Sequence, residues 1–246
     1  MAERQKLSHR LEKVLAACGK RRCIADIGTD HGLLPVCAII DGRAEKAVAC
    51  DLRKAPLEKC RVNIERYGVG DKVSVRQAYG LDALKPGEAD AVVIAGMGGM
   101  LICEIISKAL SDNKLFPGAR LVLCPNTHDE FVRRMVYSDC FSNVRESAVR
   151  DGGMIYLLIS CVFTGISPER GLPDLLEDAP SSFVPEHFAG SSGRLPKYYY
   201  RKVLSRAKKR LEGLKRSESF PEREKASETE LFGGVSAVCT SFIGRS

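Results

Sequence analysis

The sequence lacks the marks of a membrane-spanning or secreted protein. No apolar run approaches the roughly 18 residues that cross a bilayer, and residues 1–10 are polar, without the apolar core of a signal peptide. We therefore expect a soluble, cytoplasmic protein with no membrane partner. The 246 residues, 44% hydrophobic and 28% charged, suffice for one α/β domain and a smaller appendage.

Paired cysteines are also absent. The ten cysteines are scattered and form no CxxC pair, and most lie in apolar segments, among them Cys23, Cys50, Cys124 and Cys161. Disulfide frameworks and zinc sites both depend on regular cysteine spacing. We therefore interpret these residues as buried, reduced thiols and expect no bound metal.

The positive charge behind the net charge of +7 is concentrated in one segment. Between Arg194 and Arg216 the chain carries ten basic residues and one acid, while the remainder is slightly acidic. This segment predicts an amphipathic helix with a cationic face. That face is either simply solvated or binds the phosphates of a nucleic acid, and we favour nucleic-acid binding. The apolar residues that recur at helical spacing are Val203 or Leu204, Ala207, Leu211 and Leu214. The candidate phosphate ligands are Arg201, Lys202, Lys208 and Lys209.

Three tyrosines, Tyr198 to Tyr200, lie near the start of this helix. Aromatic rings beside a cationic surface can stack on exposed bases. They can equally pack against the main domain, and we favour packing.

Residues 22–163 alternate short apolar runs with longer amphipathic segments, the pattern of a mainly parallel sheet covered by helices. The last two strands are joined by a four-residue turn containing Gly152 and Gly153, which predicts a terminal antiparallel hairpin. Five parallel strands followed by such a hairpin indicate a class I methyltransferase, a Rossmann-like α/β fold. The predicted strands are Arg22–Ile27, Lys46–Asp51, Lys72–Gln77, Ala89–Ala95, Ala119–Cys124, Phe141–Val149 and Met154–Phe163, preceded by a helix over Gln5–Cys18.

The composition changes after residue 163. We predict a methyltransferase domain over residues 1–163 and a basic, helical region over residues 164–246 that begins with a linker. The linker is punctuated by Pro168, Pro173, Pro180, Pro185 and Pro196. Leu231–Ile243 is an apolar run to which the sequence assigns no role.

The loop after the first predicted strand carries the chemistry of an amino-acid site. Asp26 can bind the ammonium group of methionine, and Gly28, next to Thr29, lets the backbone approach a ligand closely. The following helix offers free N–H groups for a carboxylate. The GxGxxG fingerprint of nicotinamide-dependent dehydrogenases is missing. The loop therefore predicts an S-adenosylmethionine site.

Other strand ends extend this site along the same edge of the sheet. Asp51, beside Leu52, can accept both ribose hydroxyls, a placement that NAD sites share. Gly96, Met97 and Gly98 follow the fourth parallel strand, where closely spaced glycines indicate contact with cofactor or substrate. Asn126 follows the fifth strand, at the same edge, and is a candidate substrate ligand.

These segments together resemble one family, the bacterial tRNA (adenine-N1)-methyltransferases that act on adenosine 22. The resemblance covers Leu7 to Cys161 and implies a class I fold with a small helical C-terminal domain, methyl transfer to tRNA, and a long C-terminal helical pair that is shortened here after Arg216. The matching stretches are LSHRLEKV, ADIGTDHGLLP, ADAVVIAGMGGMLI, CPNTHDEFVRRMV and VRDGGMIYLLISC.

The chain departs from this family after the third strand. The family usually carries GDGL there, with an aspartate that is expected to meet the cofactor adenine, whereas this chain has Ala78, Tyr79, Gly80 and Leu81. We assign Tyr79 and Gly80 to cofactor binding, with Asp82 as the alternative contact.

Asp30 and His31 are the candidate catalytic residues, and His31 is also a candidate cofactor contact. Adenine N1 already carries a lone pair, so positioning matters more than a base. A carboxylate at Asp30 that accepts a hydrogen bond from the exocyclic amine would stabilise the cationic product, and Asp30 matches a family position implicated in function.

Two other functions remain open at this point. One is a methyltransferase for another RNA or a small molecule, and the other is a non-catalytic RNA-binding protein with the same fold. We expect tRNA as the partner and a monomeric state.

Overall fold

We describe the fold from a computed structural model, in which residues 5–167, 180–185, 188, 194–217 and 219–244 are described. Seven strands of the described residues form one sheet in the order β3-β2-β1-β4-β5-β7-β6. The first five strands are parallel, and β7 runs antiparallel to both β5 and β6. The strands are β1 (Arg21–Ile27), β2 (Ala44–Asp51), β3 (Val73–Gln77), β4 (Ala91–Ala95), β5 (Arg120–Cys124), β6 (Phe141–Asp151) and β7 (Met154–Phe163).

Helices cover both faces of this sheet. Buried residues of α1 to α3 share one core with one face, and buried residues of α4, α5, α7 and α8 share the second core with the other face. The helices are α1 (His9–Cys18), α2 (Leu33–Ile40), α3 (Lys54–Tyr67), α4 (Gly99–Ser111), α5 (Asp129–Val136), α6 (Pro180–Phe183), α7 (Arg194–Arg216) and α8 (Glu222–Gly244), with a short 3-10 helix at Gly80–Ala83.

The central strands are apolar because both of their faces are buried. In β1, Cys23, Ala25 and Ile27 enter one core and Ile24 enters the other, as the alternation of side chains along a strand requires. The strand order reverses between β1 and β4, so the loops after these two strands diverge and leave a crevice at the carboxyl edge.

The predicted strands and the hairpin are confirmed, with shifts of one or two residues at six of the fourteen strand ends. The first helix, however, begins at His9 rather than Gln5. The reason is local, because the hydroxyl of Ser8 accepts a hydrogen bond from Leu11 N at 3.3 Å and caps the helix there.

The C-terminal region differs from the prediction in one respect. Helix α7 has the predicted bounds, but the expected shortening of the helical pair after Arg216 is wrong, because α8 is a 23-residue helix packed along α7. Val235 and Cys239 of α8 are fully buried in the core that also covers the sheet. The apolar run Leu231–Ile243 therefore packs on α7 and α6 and extends this core. Of the predicted linker, Pro168 and Pro173 lie outside the described residues.

The tyrosines of α7 pack as expected. Tyr199 and Tyr200 are buried, and the Tyr200 ring stacks on Phe242 of α8 at 4.9 Å between centroids. Tyr198 remains 39% exposed. Packing on the domain is thus confirmed for the second and third tyrosines.

None of the ten cysteines is in a disulfide, and nine of them are buried, with Cys103 half-buried. Over the described ranges, no helix is long and apolar enough to cross a membrane. The same ranges contain no group of three or more histidine, cysteine, aspartate or glutamate residues that could hold a metal ion.

Candidate active site

A cavity of about 670 Å³ opens at the carboxyl edge of the sheet. It brings together eight of the residues that the sequence singled out, although they come from four different strand ends. These are Asp26, Gly28, Asp30, His31, Asp51, Gly96, Met97 and Asn126. The other lining residues are Arg10, Leu11, Leu33, Leu34, Arg53, Ala55, Pro56, Lys59 and Ala95.

The loop after β1 requires glycine at its first position. Gly28 has a φ of +76°, and a Cβ there would lie 2.0 Å from Cε of Met97. The N–H groups of Gly28 and Thr29 both donate to the carbonyl of Cys50 at 2.8 Å, which bends the chain away from the sheet. This turn leaves the start of α2 facing the cavity, where Leu33 and Leu34 contribute to the lining.

Asp26 is a buried carboxylate at the base of the cavity. Burial, together with the nearby carboxylates of Asp51 and Asp30, raises the pKa of Asp26 to about 6, and the neighbouring Thr29 hydroxyl opposes the shift in part. The Thr29 oxygen is nevertheless buried without a protein hydrogen bond of good geometry among the described residues. A carboxylate in this position fits the ammonium group of an amino-acid ligand, which would supply the missing positive charge.

Asp51 ends β2 and is 7% exposed. Its Oδ1 atom accepts hydrogen bonds from Arg53 N at 2.7 Å and from Arg53 Nε at 3.3 Å. Within the described part of the chain its Oδ2 atom has no hydrogen bond, so one carboxylate oxygen is available for ribose hydroxyls. Leu52 is 59% exposed and lies outside the cavity lining.

Asp30 and His31 form the outer part of the same loop. His31 Nε2 lies 3.2 Å from Asp30 Oδ1, and the Asp30 side chain is 77% exposed. His31 adopts a left-handed φ of +60°, and Asn63 holds it by donating to its carbonyl at 2.8 Å. An exposed carboxylate at the mouth of the cavity can accept a hydrogen bond from an incoming base.

The loops after β4 and β5 are joined into one rim. The N–H of Gly99 donates to Thr127 O at 2.7 Å, and a Cβ at Gly99 would lie 1.9 Å from the carbonyl oxygen of His128. Asn126 donates from Nδ2 to Gly96 O at 2.7 Å. Its amide is therefore held over the glycine loop, with Gly98 bridging to Thr127 behind it.

Arg10 of α1 completes this rim, although the sequence pattern did not point to it as a site residue. Its guanidinium donates to Asn126 Oδ1 at 3.3 Å and lies 4.7 Å from the ring centroid of Tyr156. Arg10 belongs to one of the stretches that resemble the family, but helical periodicity alone does not connect it with residues more than a hundred positions away. Arg53 and Lys59 also line the cavity, although the sequence analysis did not single them out.

Tyr79 and its neighbours lie outside the cavity lining. The Tyr79 hydroxyl donates to Glu104 Oε1 at 2.5 Å, and Asp82 pairs with Lys108 at 2.7 Å. Gly80 is buried, and a Cβ there would lie 2.9 Å from Ile105. The assignment of Tyr79 and Gly80 to cofactor binding stays a prediction, and Asp82 is already occupied by a lysine.

The basic residues of α7 divide into two groups. Arg201, Lys208 and Lys209 are exposed along one outer face of the helix. Lys202, in contrast, donates to Ile155 O at 2.8 Å and lies 4.0 Å from Asp129 Oδ2, and burial lowers the pKa of its ammonium group. Lys202 therefore holds α7 against the sheet, and its assignment as a phosphate ligand stays a prediction.

The chain matches known methyltransferases along most of its length. Residues 7–159 match the family described as a methyltransferase domain. The tRNA (adenine(22)-N(1))-methyltransferase of Bacillus subtilis (strain 168) is 34% identical over 174 residues, which are 68% of this chain and 72% of that protein.

Two crystal structures extend the likeness to the C-terminal helices. The B. subtilis m1A22 tRNA methyltransferase TrmK superposes with a TM-score of 0.80 at 25% identity, over 97% of this chain and 99% of TrmK. The Streptococcus pneumoniae protein Sp1610, in complex with S-adenosyl-L-methionine, gives 0.73 at 22% identity, over 94% of this chain and 100% of that one, which concerns the fold alone. The chain therefore belongs to the tRNA (adenine(22)-N(1))-methyltransferase family of methyltransferase-domain proteins.

Proposed function

We propose that this protein transfers a methyl group from S-adenosylmethionine to N1 of an adenine in tRNA, at position 22. The observation that carries the proposal is the buried Asp26 carboxylate, which lies with Asp51 and two glycine loops around one cavity in a chain of this family. A dehydrogenase site would need a diphosphate-binding fingerprint instead, and GxGxxG is absent from the sequence.

The residues of the cavity fit the parts of this cofactor. Asp26 would bind the ammonium group, the free N–H groups at the start of α2 would bind the carboxylate, and Asp51 would accept the ribose hydroxyls. Gly96 and Met97 line the same cavity. S-adenosylmethionine, when bound, supplies an electrophilic methyl group.

Asp30 and Asn126 would hold the substrate base. Adenine N1 carries its own lone pair, so the protein has to position the base rather than remove a proton. Asp30 would accept a hydrogen bond from the exocyclic amine and so stabilise the positive charge that develops on the ring. His31, 3.2 Å from Asp30, would keep that carboxylate in place.

The exposed face of α7 would bind the body of the tRNA. Arg201, Lys208 and Lys209 lie together on this face and can neutralise phosphates. Because Lys202 is engaged with Ile155 and Asp129, we leave it out of the direct contacts. We further propose a monomeric, cytoplasmic enzyme, since tRNA modification takes place where tRNA is available.

The test is methyl transfer from labelled S-adenosylmethionine to bulk tRNA, followed by mass mapping of the modified nucleoside. We expect 1-methyladenosine at position 22. Label found only in another RNA or in a small molecule would instead favour a methyltransferase that acts on that substrate. Failure to bind S-adenosylhomocysteine by calorimetry would contradict catalysis and favour a non-catalytic RNA-binding protein.

A further inference from the structure

The β6–β7 hairpin rises above the rim of the cavity. Pairing of β7 with β5 ends at Leu123 and Ile159, whereas pairing of β7 with β6 continues to Asp151 and Met154. The five residues from Ile159 back to Met154 correspond to about 16 Å of strand beyond that last β5 pair, at about 3.3 Å per residue. The hairpin tip therefore stands on the side of the sheet where the cavity opens.

The tip is held from both faces. On one face, His9 Nδ1 lies 3.0 Å from the carbonyl oxygen of Arg150, and Arg10 Nε lies 3.9 Å from Asp151 Oδ2. On the other face, Lys202 of α7 donates to Ile155 O at 2.8 Å. A segment braced in this way loses little conformational freedom when a ligand binds to it.

Arg10 connects this tip directly to the cavity. Its guanidinium reaches Asn126 on the rim and Asp151 on the hairpin, and it lies over the ring of Tyr156 near the start of β7. The tip and the cavity are therefore separated by about the length of one arginine side chain. On the opposite face of the tip, Lys202 joins the hairpin to α7, the helix that carries the cationic face.

The end of the tip has the side chains of a wedge, by which we mean an apolar residue that enters between two stacked bases. Met154 is 56% exposed and is paired across the turn with Asp151, and Arg150, one residue before Asp151, is exposed as well. Gly152 and Gly153 make the turn, and a Cβ at either would meet nothing within 4 Å. Proteins use an exposed apolar side chain to enter a base step, and the exposed Arg150, one residue further along the neighbouring strand, can hold a phosphate near it.

From this arrangement we propose that the β6–β7 tip enters the RNA next to the target adenosine, with Met154 filling the space that the displaced base leaves in the stack. The inference rests on the proposed function, because N1 lies on the Watson–Crick edge and a paired or stacked adenine must leave its helix to react. Arg150 contacts the neighbouring phosphate, and Arg10 keeps the tip in register with the cavity.

The experiment compares Met154→Ala with Met100→Ala, since Met100 is a second exposed methionine near the rim, 60% exposed. Each variant is assayed on two RNAs that contain the mapped target adenosine, one with the adenosine paired to uridine and one with a mismatch opposite it. We expect Met154→Ala to lose about tenfold in kcat/KM on the paired RNA and to regain most of it on the mismatched RNA. Met100→Ala is expected to match the wild type on both.

A second measurement does not depend on methyl transfer. With 2-aminopurine in place of the target adenosine, binding of the wild-type protein raises the fluorescence as the base leaves the stack, and Met154→Ala reduces this rise. Equal losses on both RNAs, or the rescue pattern in Met100→Ala instead, would overturn the inference. Absence of methyl transfer by the wild type alongside a normal fluorescence rise would contradict the proposed function and leave the wedge supported.

Discussion

The phenolic oxygen of Tyr199 donates to Asp129 Oδ2 at 2.7 Å, and both side chains are buried. Arg206 donates to the other carboxylate oxygen at 2.8 Å, so the start of α5 is tied to α7 at two points. Burial alone would raise the pKa of Asp129, but Lys202, Arg206 and Tyr199 outweigh it and hold this pKa below its ordinary value. The carboxylate thus stays charged and fixes α7 on the domain.

Removing the Tyr199 hydroxyl should therefore destabilise the protein. We expect Tyr199→Phe to lower the free energy of unfolding by about 1–3 kcal/mol, because Asp129 loses a hydrogen bond in a buried position. Denaturant unfolding measures the difference, with Tyr198→Phe as the matched control because Tyr198 is 39% exposed. Since the folded-state pKa of Asp129 is lowered, its contribution is present above about pH 4 and is lost as the pH falls further. Equal stability of the two variants would contradict this account.

Cofactor binding should depend on the ionisation of Asp26. The pKa of Asp26 is raised to about 6, so the carboxylate that would bind an ammonium group is largely neutral at pH 5 and ionised at pH 7. We expect the affinity for S-adenosylhomocysteine, measured by calorimetry, to increase as the pH rises through about 6. Asp26→Asn should bind weakly with a flatter profile. An unchanged profile in that variant would remove Asp26 from the ammonium site.

Asp30 should act on methyl transfer rather than on cofactor binding. Its side chain is 77% exposed at the mouth of the cavity, so Asp30→Ala should leave the affinity for S-adenosylhomocysteine within about twofold and reduce kcat on tRNA by about 100-fold. Calorimetry and single-turnover assays measure the two quantities. Unchanged turnover would exclude Asp30 from the mechanism.

Two glycine substitutions should have opposite effects on stability. A Cβ at Gly99 would lie 1.9 Å from a backbone oxygen, so Gly99→Ala should destabilise the joined loops by about 1–3 kcal/mol. Gly213 lies within α7 with nothing within 4 Å of the added carbon, and Gly213→Ala should stabilise the protein by about 0.5–1 kcal/mol. Thermal unfolding would show both, and a stabilised Gly99→Ala would contradict the close approach.

The basic residues of α7 should separate by the salt dependence of tRNA binding. The triple variant of Arg201, Lys208 and Lys209 to alanine should make the slope of log K against log salt less steep by about 2 to 3. This change corresponds to the loss of about 3 phosphate contacts. Lys202→Ala should leave that slope nearly unchanged and lower stability instead, because its ammonium binds Ile155 O and lies beside Asp129. The opposite pattern would show that Lys202 is the phosphate ligand.

Much of the fold could be predicted because the relevant signals are local. Strands buried on both faces read as short apolar runs, and the turn at Gly152 and Gly153 is too short for a parallel crossover. Ser8 was missed as a helix cap, although a serine before an apolar periodic segment is a recognised start signal. Helix α8 was missed because its early charge alternation and its glycines weaken the helical pattern, and packing on α7 compensates for them.

The sequence by itself determined which residues come to the carboxyl edge, because strand ends and glycine turns can be recognised from neighbouring residues alone. Asp26, Gly28, Asp51, Gly96 and Asn126 all line the one cavity for this reason. Only the tertiary structure decided the roles of Arg10 and Lys202, whose partners lie 116 and 47 residues away. The charge on a side chain is local information, but whether it faces solvent or a distant carbonyl depends on how the helices pack.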